Sequence, residues 1–334
     1  MVMNRELSNG LPRLATSGNS LINTSTREKM ILRGVNRSGL EYCVPDEQGF
    51  LSGASISRTE IQVVVQDWGC NIIRVPFNQD FALRGRAGRS GEEYRAALDQ
   101  LIYWASMFGA YTLLDLQWLD ADRIYGGNRN FVAPLPNLES IEMWTLLAAR
   151  YKDEPAVLYD IFSEPHDRLA DDPFPLNKDD GGTYPPGQRA VTAREWQPWA
   201  RRLTRAIQIE SPNAVVFVAG TNWGYDLRGI PLDLPNVVYS SHVYANKGED
   251  WLDAFGNLSR SVPVFLGEFG GRDTPEELDF VRRLLMYAEK MEIGWTAWSW
   301  SNEPFLVSRY APTQFGEVVH RQLTSKAKPF QDCS

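Results

Sequence analysis

Eight short runs rich in β-branched and aromatic residues recur along this chain, at 31–36, 71–76, 111–116, 157–162, 215–219, 237–241, 264–267 and 294–298. Such runs suit parallel strands that are covered on both faces. Helical periodicity fills most of the gaps between them. After Gly271, the residues Leu278, Val281, Leu284, Leu285, Ala288 and Met291 fall on one face of a helix. Thr274, Pro275 and Glu277 open that segment as an N-cap, a first-turn proline and a capping-box acid. A second stripe runs through Ile141, Trp144, Leu147, Ala148 and Tyr151, and two more cover about 93–108 and 195–210. Strands alternating with helices leave two architectures, a closed (β/α)8 TIM barrel or a doubly wound sheet. No GxGxxG follows a strand and no GxxxxGKS occurs, so the nucleotide-binding sheets lose their usual signature and the α/β barrel is the expected fold. The fifth helix is the weak unit, because 222–235 is full of turn residues and predicts a short or irregular helix rather than a missing unit.

A single catalytic barrel domain over 1–334 accounts for the length, with residues 1–29 as a cap over the barrel floor. No composition break or repeat beyond the βα unit argues otherwise. Two connections are long, 119–139 after the third strand and 165–194 after the fourth. Both follow the C-terminal ends of strands, where a barrel builds its active site.

Composition removes several function classes. Hydrophobic residues make up 43% and charged residues 23%, which excludes a disordered chain. A net charge of -8 leaves no basic footprint for nucleic acid. No apolar run reaches the ~18 residues of a membrane helix. The polar start MVMNRELSNG shows no signal peptide, so the chain reads as cytoplasmic, or as secreted if a leader was removed. Cys43, Cys70 and Cys333 are odd in number and widely spaced, which argues against a disulfide framework or zinc cluster. His166, His242 and His320 form no HExxH pair, so no metal is expected.

Two acids stand at strand ends in distinctive strings, Glu164 in YDIFSEPHD and Glu268 in VFLGEFGG. Barrel closure carries the ends of the fourth and seventh strands to one rim, so the two carboxyls can face each other. A pair of acids across a cleft is the minimum apparatus for cleaving a glycosidic bond. Arg74 ends the second strand, and His242 and Tyr244 end the sixth. Trp298 and Trp300 lie in the eighth.

The strings RGVNRSGLEY, NIIRVPF, FSEPHD, SHVY, GEFG and WTAWSW occur in that order, on strands one, two, four, six, seven and eight. Together they closely resemble glycoside hydrolase family 5, the large cellulase and mannanase family, over roughly residues 14–323. The resemblance implies a retaining double displacement on a β-linked oligo- or polysaccharide, with no cofactor. Glu164 is then the general acid/base and Glu268 the nucleophile. Arg74 would keep Glu268 ionised and Tyr244 would donate a hydrogen bond to it. His242 would contact the acid/base or the sugar. Trp298 matches the family's sugar platform, with an indole face for stacking and an N–H free to bond. Trp118, Trp223 and Tyr42 follow strand ends and are further cleft candidates, whereas Trp196, Trp199 and Trp300 read as packing.

Three positions depart from the family pattern. Ser163, read as a rim position in the cleft just before the acid/base, stands where the family has an asparagine that holds the sugar 2-hydroxyl, and serine is too short to reach it unaided. Gln117 stands where many members carry histidine, so it can bond but not titrate. Ser38 falls where some cellulases place a cleft histidine. Asp115 and Asp160, inside strands, read as structural. An endo-β-1,4-glucanase acting as a monomer is the first expectation. A β-mannanase or another β-glucanase, a glycosyl-transferring enzyme and a catalytically impaired sugar-binding barrel stay open beside it.

Overall fold

The computed structural model describes residues 10–119, 133–166, 168–169, 188–309 and 311–325. Eight parallel strands close into a barrel. They are β1 (Arg33–Asn36), β2 (Ile72–Asn78), β3 (Tyr111–Trp118), β4 (Val157–Asp160), β5 (Val216–Ala219), β6 (Val237–Val243), β7 (Val264–Phe269) and β8 (Gly294–Ala297). Each pairs with its successor, and β8 returns to β1 through Thr296 opposite Gly34. All eight apolar runs are therefore strands. Among the described residues, the longest helices are α1 (Gly91–Phe108), α2 (Leu138–Tyr151), α3 (Ala193–Glu210) and α4 (Pro275–Lys290), followed by α5 (Gln314–Thr324). Their apolar stripes bury residues such as Leu98, Leu147, Leu203 and Leu284 against the outer face of the barrel.

Alternation along the strands sorts the interior into an apolar floor and a polar mouth. Ile72, Tyr111, Leu113, Leu158, Phe217, Val238 and Phe265 cluster near the starts of their strands. Two residues further on, in the same inward phase, come Arg74 on β2, Asp115 on β3, Asp160 on β4 and Ser240 on β6. Below the floor, Leu14–Ser17, Ser20–Asn23 and Lys29–Met30 form an antiparallel sheet whose Leu14 and Leu21 join the same cluster.

Two local expectations need correction. Thr274 caps α4 by accepting the Glu277 N–H, but Glu277 does not complete a capping box. Its carboxylate accepts the Arg272 N–H at 2.7 Å instead. Between β5 and β6 no helix forms among the described residues. Asn222 and Trp223 take left-handed φ values of 54° and 60°, which stop helical propagation, and the chain closes in small bridges from Gly220 to Gly224 and Thr221 to Asp226. The two long connections lie largely outside the described residues, as does Cys333.

Candidate active site

Arg74 organises the mouth of the barrel. It is fully buried, and four hydrogen bonds leave its guanidinium. Nε donates to Asp160 Oδ2 at 2.9 Å, and Nη1 to Asn36 Oδ1 at 2.8 Å and Glu268 Oε1 at 2.7 Å. Nη2 donates to Ser163 Oγ at 3.1 Å. Nη2 also lies 2.9 Å from Asp115 Oδ1. Burial disfavours a charged guanidinium, but the surrounding charges of Asp115, Asp160 and Glu268 outweigh that and push its pKa up. Asn36 fixes the fork from β1 by donating in turn to the carbonyls of Gly267 and Thr296.

Glu268 and Glu164 face each other across this centre. Glu268 is 5% exposed and accepts from Arg74 on one oxygen and from the Tyr244 hydroxyl, at 3.1 Å, on the other. Burial, then the charges of Glu268 and Glu164, hold the Tyr244 phenol well above its ordinary pKa, so it stays a donor. Glu164 is 23% exposed, and its Oε1 sits 2.8 Å from His242 Nδ1. Oxygens of the two acids and a nitrogen of His242 all lie within 4.8 Å of one another. An oxygen of one acid so near an oxygen of the other fits the roughly 5–5.5 Å separation of a retaining acid pair better than the ~6.5–9.5 Å of an inverting one. Burial lowers the His242 pKa to about 4, so the ring is neutral at ordinary pH. Gly267 lets the ring approach, since a Cβ there would meet Ser240 Oγ at 2.3 Å and His242 Nε2 at 2.9 Å. The same three groups resemble a metal triad in outline. A guanidinium already occupies Glu268 Oε1, however, and its charge opposes a divalent ion at that point.

The aromatic candidates divide into three places. Trp298, half-buried, follows β8. Its indole N–H is not free, because it donates to the Glu303 carbonyl at 3.2 Å. Tyr42 and Trp118 touch each other after β1 and β3, with ring centroids 5.8 Å apart. Trp223 stacks on His166 at 4.1 Å and 18°, and its backbone N–H bonds to the Pro165 carbonyl, next to Glu164. Trp196 and Trp300 are buried, and Trp199 packs on the core.

The departing residues behave differently from one another. Ser163 does not line an open rim. It is 2% exposed, and its hydroxyl serves Arg74. Ser38 is buried in a serine group with Ser299 and Ser301. Gln117 is half-buried at the end of β3, and its Oε1 has no partner among the described residues. Sequence reasoning missed Asn36 and Glu41. Glu41 is buried after β1, and burial, opposed by hydrogen bonds from its own and the Gly39 backbone, raises its pKa to about 8. For Asn36 the signal was present, since it ends β1 in the inward phase.

Known proteins share this arrangement of elements. Residues 28–304 match the family model described as Cellulase (glycosyl hydrolase family 5). An endoglucanase from Paenibacillus polymyxa is 27% identical over 335 residues, covering 85% of this chain and 78% of that protein. Endoglucanase A from Butyrivibrio fibrisolvens is 25% identical, over 77% of this chain but only 52% of its own length. The chain thus spans about half of that second relative. Among solved structures, a β-glucanase from Saccharophagus degradans in complex with cellotetraose superposes with a TM-score of 0.73 at 19% identity, covering 96% of each chain.

Proposed function

Because the chain belongs to glycosyl hydrolase family 5 and is a glycoside hydrolase, we propose that it cuts β-1,4-linked glucan internally, with Glu268 as nucleophile and Glu164 as acid/base. The observation that carries the assignment of roles is the unequal dressing of two facing carboxyls. Glu268 is gripped by a guanidinium and a phenol, which suits a group that must remain an anion and hold one orientation. Glu164 meets a neutral imidazole and is the more exposed of the two, which suits a group that gains and loses a proton.

In the first step Glu268 attacks the anomeric carbon. The bond to the leaving oxygen breaks, and the Glu164 proton passes to that oxygen. In the second step ionised Glu164 takes a proton from water. The water oxygen then displaces Glu268 from the same carbon, with net retention. His242 can serve both steps while neutral. Nδ1 accepts from Glu164 when it is an acid, and the other tautomer donates when it is a carboxylate. Tyr244 and Arg74 hold Glu268 throughout. Trp298 would lie under the sugar at the cleavage point. Tyr42 with Trp118, and Trp223 on its His166 backing, would carry neighbouring sugars.

The relatives named as endoglucanases, and the β-glucanase bound to cellotetraose, support glucan as the substrate class. Ser163 favours a second reading, another β-glycan such as mannan. Its hydroxyl oxygen accepts from Arg74 and is buried rather than presented to an equatorial 2-hydroxyl. Product analysis on defined β-1,4-glucans, mixed-linkage glucans, mannans and xylans decides between them. Internal cuts in β-1,4-glucan with a first-formed β-anomer are expected. Exclusive cleavage of mannan would overturn the glucanase assignment.

A further inference from the structure

We propose that Asp115 and Asp160 share one proton, and that this acid pair positions the nucleophile by limiting the negative charge that competes for Arg74. The inference rests on Glu268 as the nucleophile. Asp115 and Asp160 are directly opposite in the β3–β4 register and fully buried. Neighbouring parallel strands run about 4.8 Å apart, so two inward carboxyls at paired positions lie side by side.

Their oxygens are badly served as two anions. Asp160 Oδ2 accepts from Arg74 Nε, but Asp160 Oδ1 and both oxygens of Asp115 have no hydrogen-bond partner among the described residues. The 2.9 Å approach of Arg74 Nη2 to Asp115 Oδ1 does not repair this, because the N–H directions of that nitrogen miss the oxygen. Arg74 lends its charge to both aspartates, but buried carboxylate oxygens left without hydrogen bonds stay costly. A proton on Asp115 pointing at Asp160 Oδ1 turns two orphaned oxygens into one O–H···O bond.

Charge counting leads to the same place. Asp115 faces Arg74 from β2, Asp160 from β4, Glu268 from β7 and Glu41 from the segment after β1. Asp160 faces Arg74, Glu268 and His242 from β6. With His242 neutral and Glu41, its pKa raised to about 8, holding its proton at neutral pH, one guanidinium answers the three remaining carboxyls. One retained proton leaves the group around Arg74 at a single net negative charge, which the positive sugar of the transition state can match. Burial raises the pKa of both aspartates against the opposing charge of Arg74; the charges of Asp160 and Glu268 raise Asp115 further, and that of Glu268 raises Asp160. At high pH the shared proton leaves. A second full charge then pulls the Arg74 fork toward β3 and β4 and loosens its hold on Glu268.

Infrared titration of the protein carrying 13C in its aspartate carboxyls tests this. A protonated-carboxyl band that shifts with the label is expected at neutral pH, lost on alkaline titration and lost in Asp115→Asn. The label separates it from any band of Glu41. The amide of Asp115→Asn keeps a donor but cannot ionise, so on a dinitrophenyl glycoside, whose leaving group needs no proton from Glu164, the alkaline limb of kcat/KM should move up by about one unit or more. Absence of a label-sensitive band at neutral pH, its survival in Asp115→Asn, or an unmoved alkaline limb would each overturn the proposal. Should the variant fail to fold, the titration of the parent decides alone. The role of Glu268 is read separately, because Glu268→Ala with azide reports on the nucleophile whatever the band does.

Discussion

Replacing Arg74 by lysine keeps a positive charge at the centre of the site and removes the fork. The guanidinium makes four hydrogen bonds in three directions, to Asp160, to Asn36 with Glu268, and to Ser163. A lysine nitrogen would sit near the guanidinium carbon, one bond short of Glu268, with three donors on one atom. It cannot hold Asp160 and Glu268 at once. Losing the 2.7 Å contact to Glu268 removes a hydrogen bond between charged groups, about 1.5–3 kcal/mol. At about 1.36 kcal/mol per tenfold, that is roughly a 10- to 150-fold fall in kcat/KM. The loss should appear mainly in kcat, because buried Arg74 touches no sugar. Two substrates locate it: a cello-oligosaccharide, and a dinitrophenyl glycoside whose leaving group needs no acid. If Arg74 acts on the nucleophile, both slow together. An Arg74→Lys protein that melts cooperatively yet stays within threefold of the parent would refute the reasoning. So would a loss confined to KM.

Three further outcomes follow from other contacts. Glu268→Ala should abolish turnover of an activated aryl glycoside, and azide should restore it with a glycosyl azide of inverted anomer as product. Near-parental turnover without azide would mean that another group attacks. Ser163→Asn should raise kcat/KM on a glucan with a free 2-hydroxyl by tenfold for each ~1.4 kcal/mol regained. Because the site is closed, added volume should also cost about 1–3 kcal/mol of stability. A folded variant with equal or lower kcat/KM would shift the substrate away from β-1,4-glucan. His242 is neutral in the folded protein down to pH about 4, against an ordinary value of 6.5. Between those values the unfolded chain binds more protons, so the stability from neutral His242 is complete above pH 6.5 and is lost as pH falls toward 4. The span is worth about 3 kcal/mol, and denaturant unfolding of the parent and His242→Gln should diverge over that window and nowhere else.

Much of this site was legible because a barrel strand shows its inward face at every second residue. Once 72–78 is a strand with Ile72 on the floor, Arg74 must sit at the mouth. The same step places Asp115 above Leu113 and Asp160 above Leu158. Short motifs supplied the acids and His242. What stayed hidden was set by contacts between elements far apart in sequence. Ser163 reads as a rim residue until the Arg74 side chain, reaching over from β2, is seen to cover it. The Trp298 N–H reads as free until the chain after β8 turns back and brings the Glu303 carbonyl to it. The fifth helix failed for a local reason that composition suggested but could not specify, the two left-handed residues Asn222 and Trp223.

The apolar floor gives the barrel a single door. Ile72, Tyr111, Phe217 and Phe265 plug the end beneath the charged group, so a proton bound for Asp160 or Asp115 has to enter from the substrate side. A glycan lying in the cleft stands in that doorway. The proton inventory of the interior is then fixed before each encounter and carried unchanged through the chemistry. A solution pH felt by the empty enzyme becomes, for the length of one turnover, a memory inside it. Buried ionisation should accordingly register in kcat/KM, which reports the free enzyme, and fade from kcat.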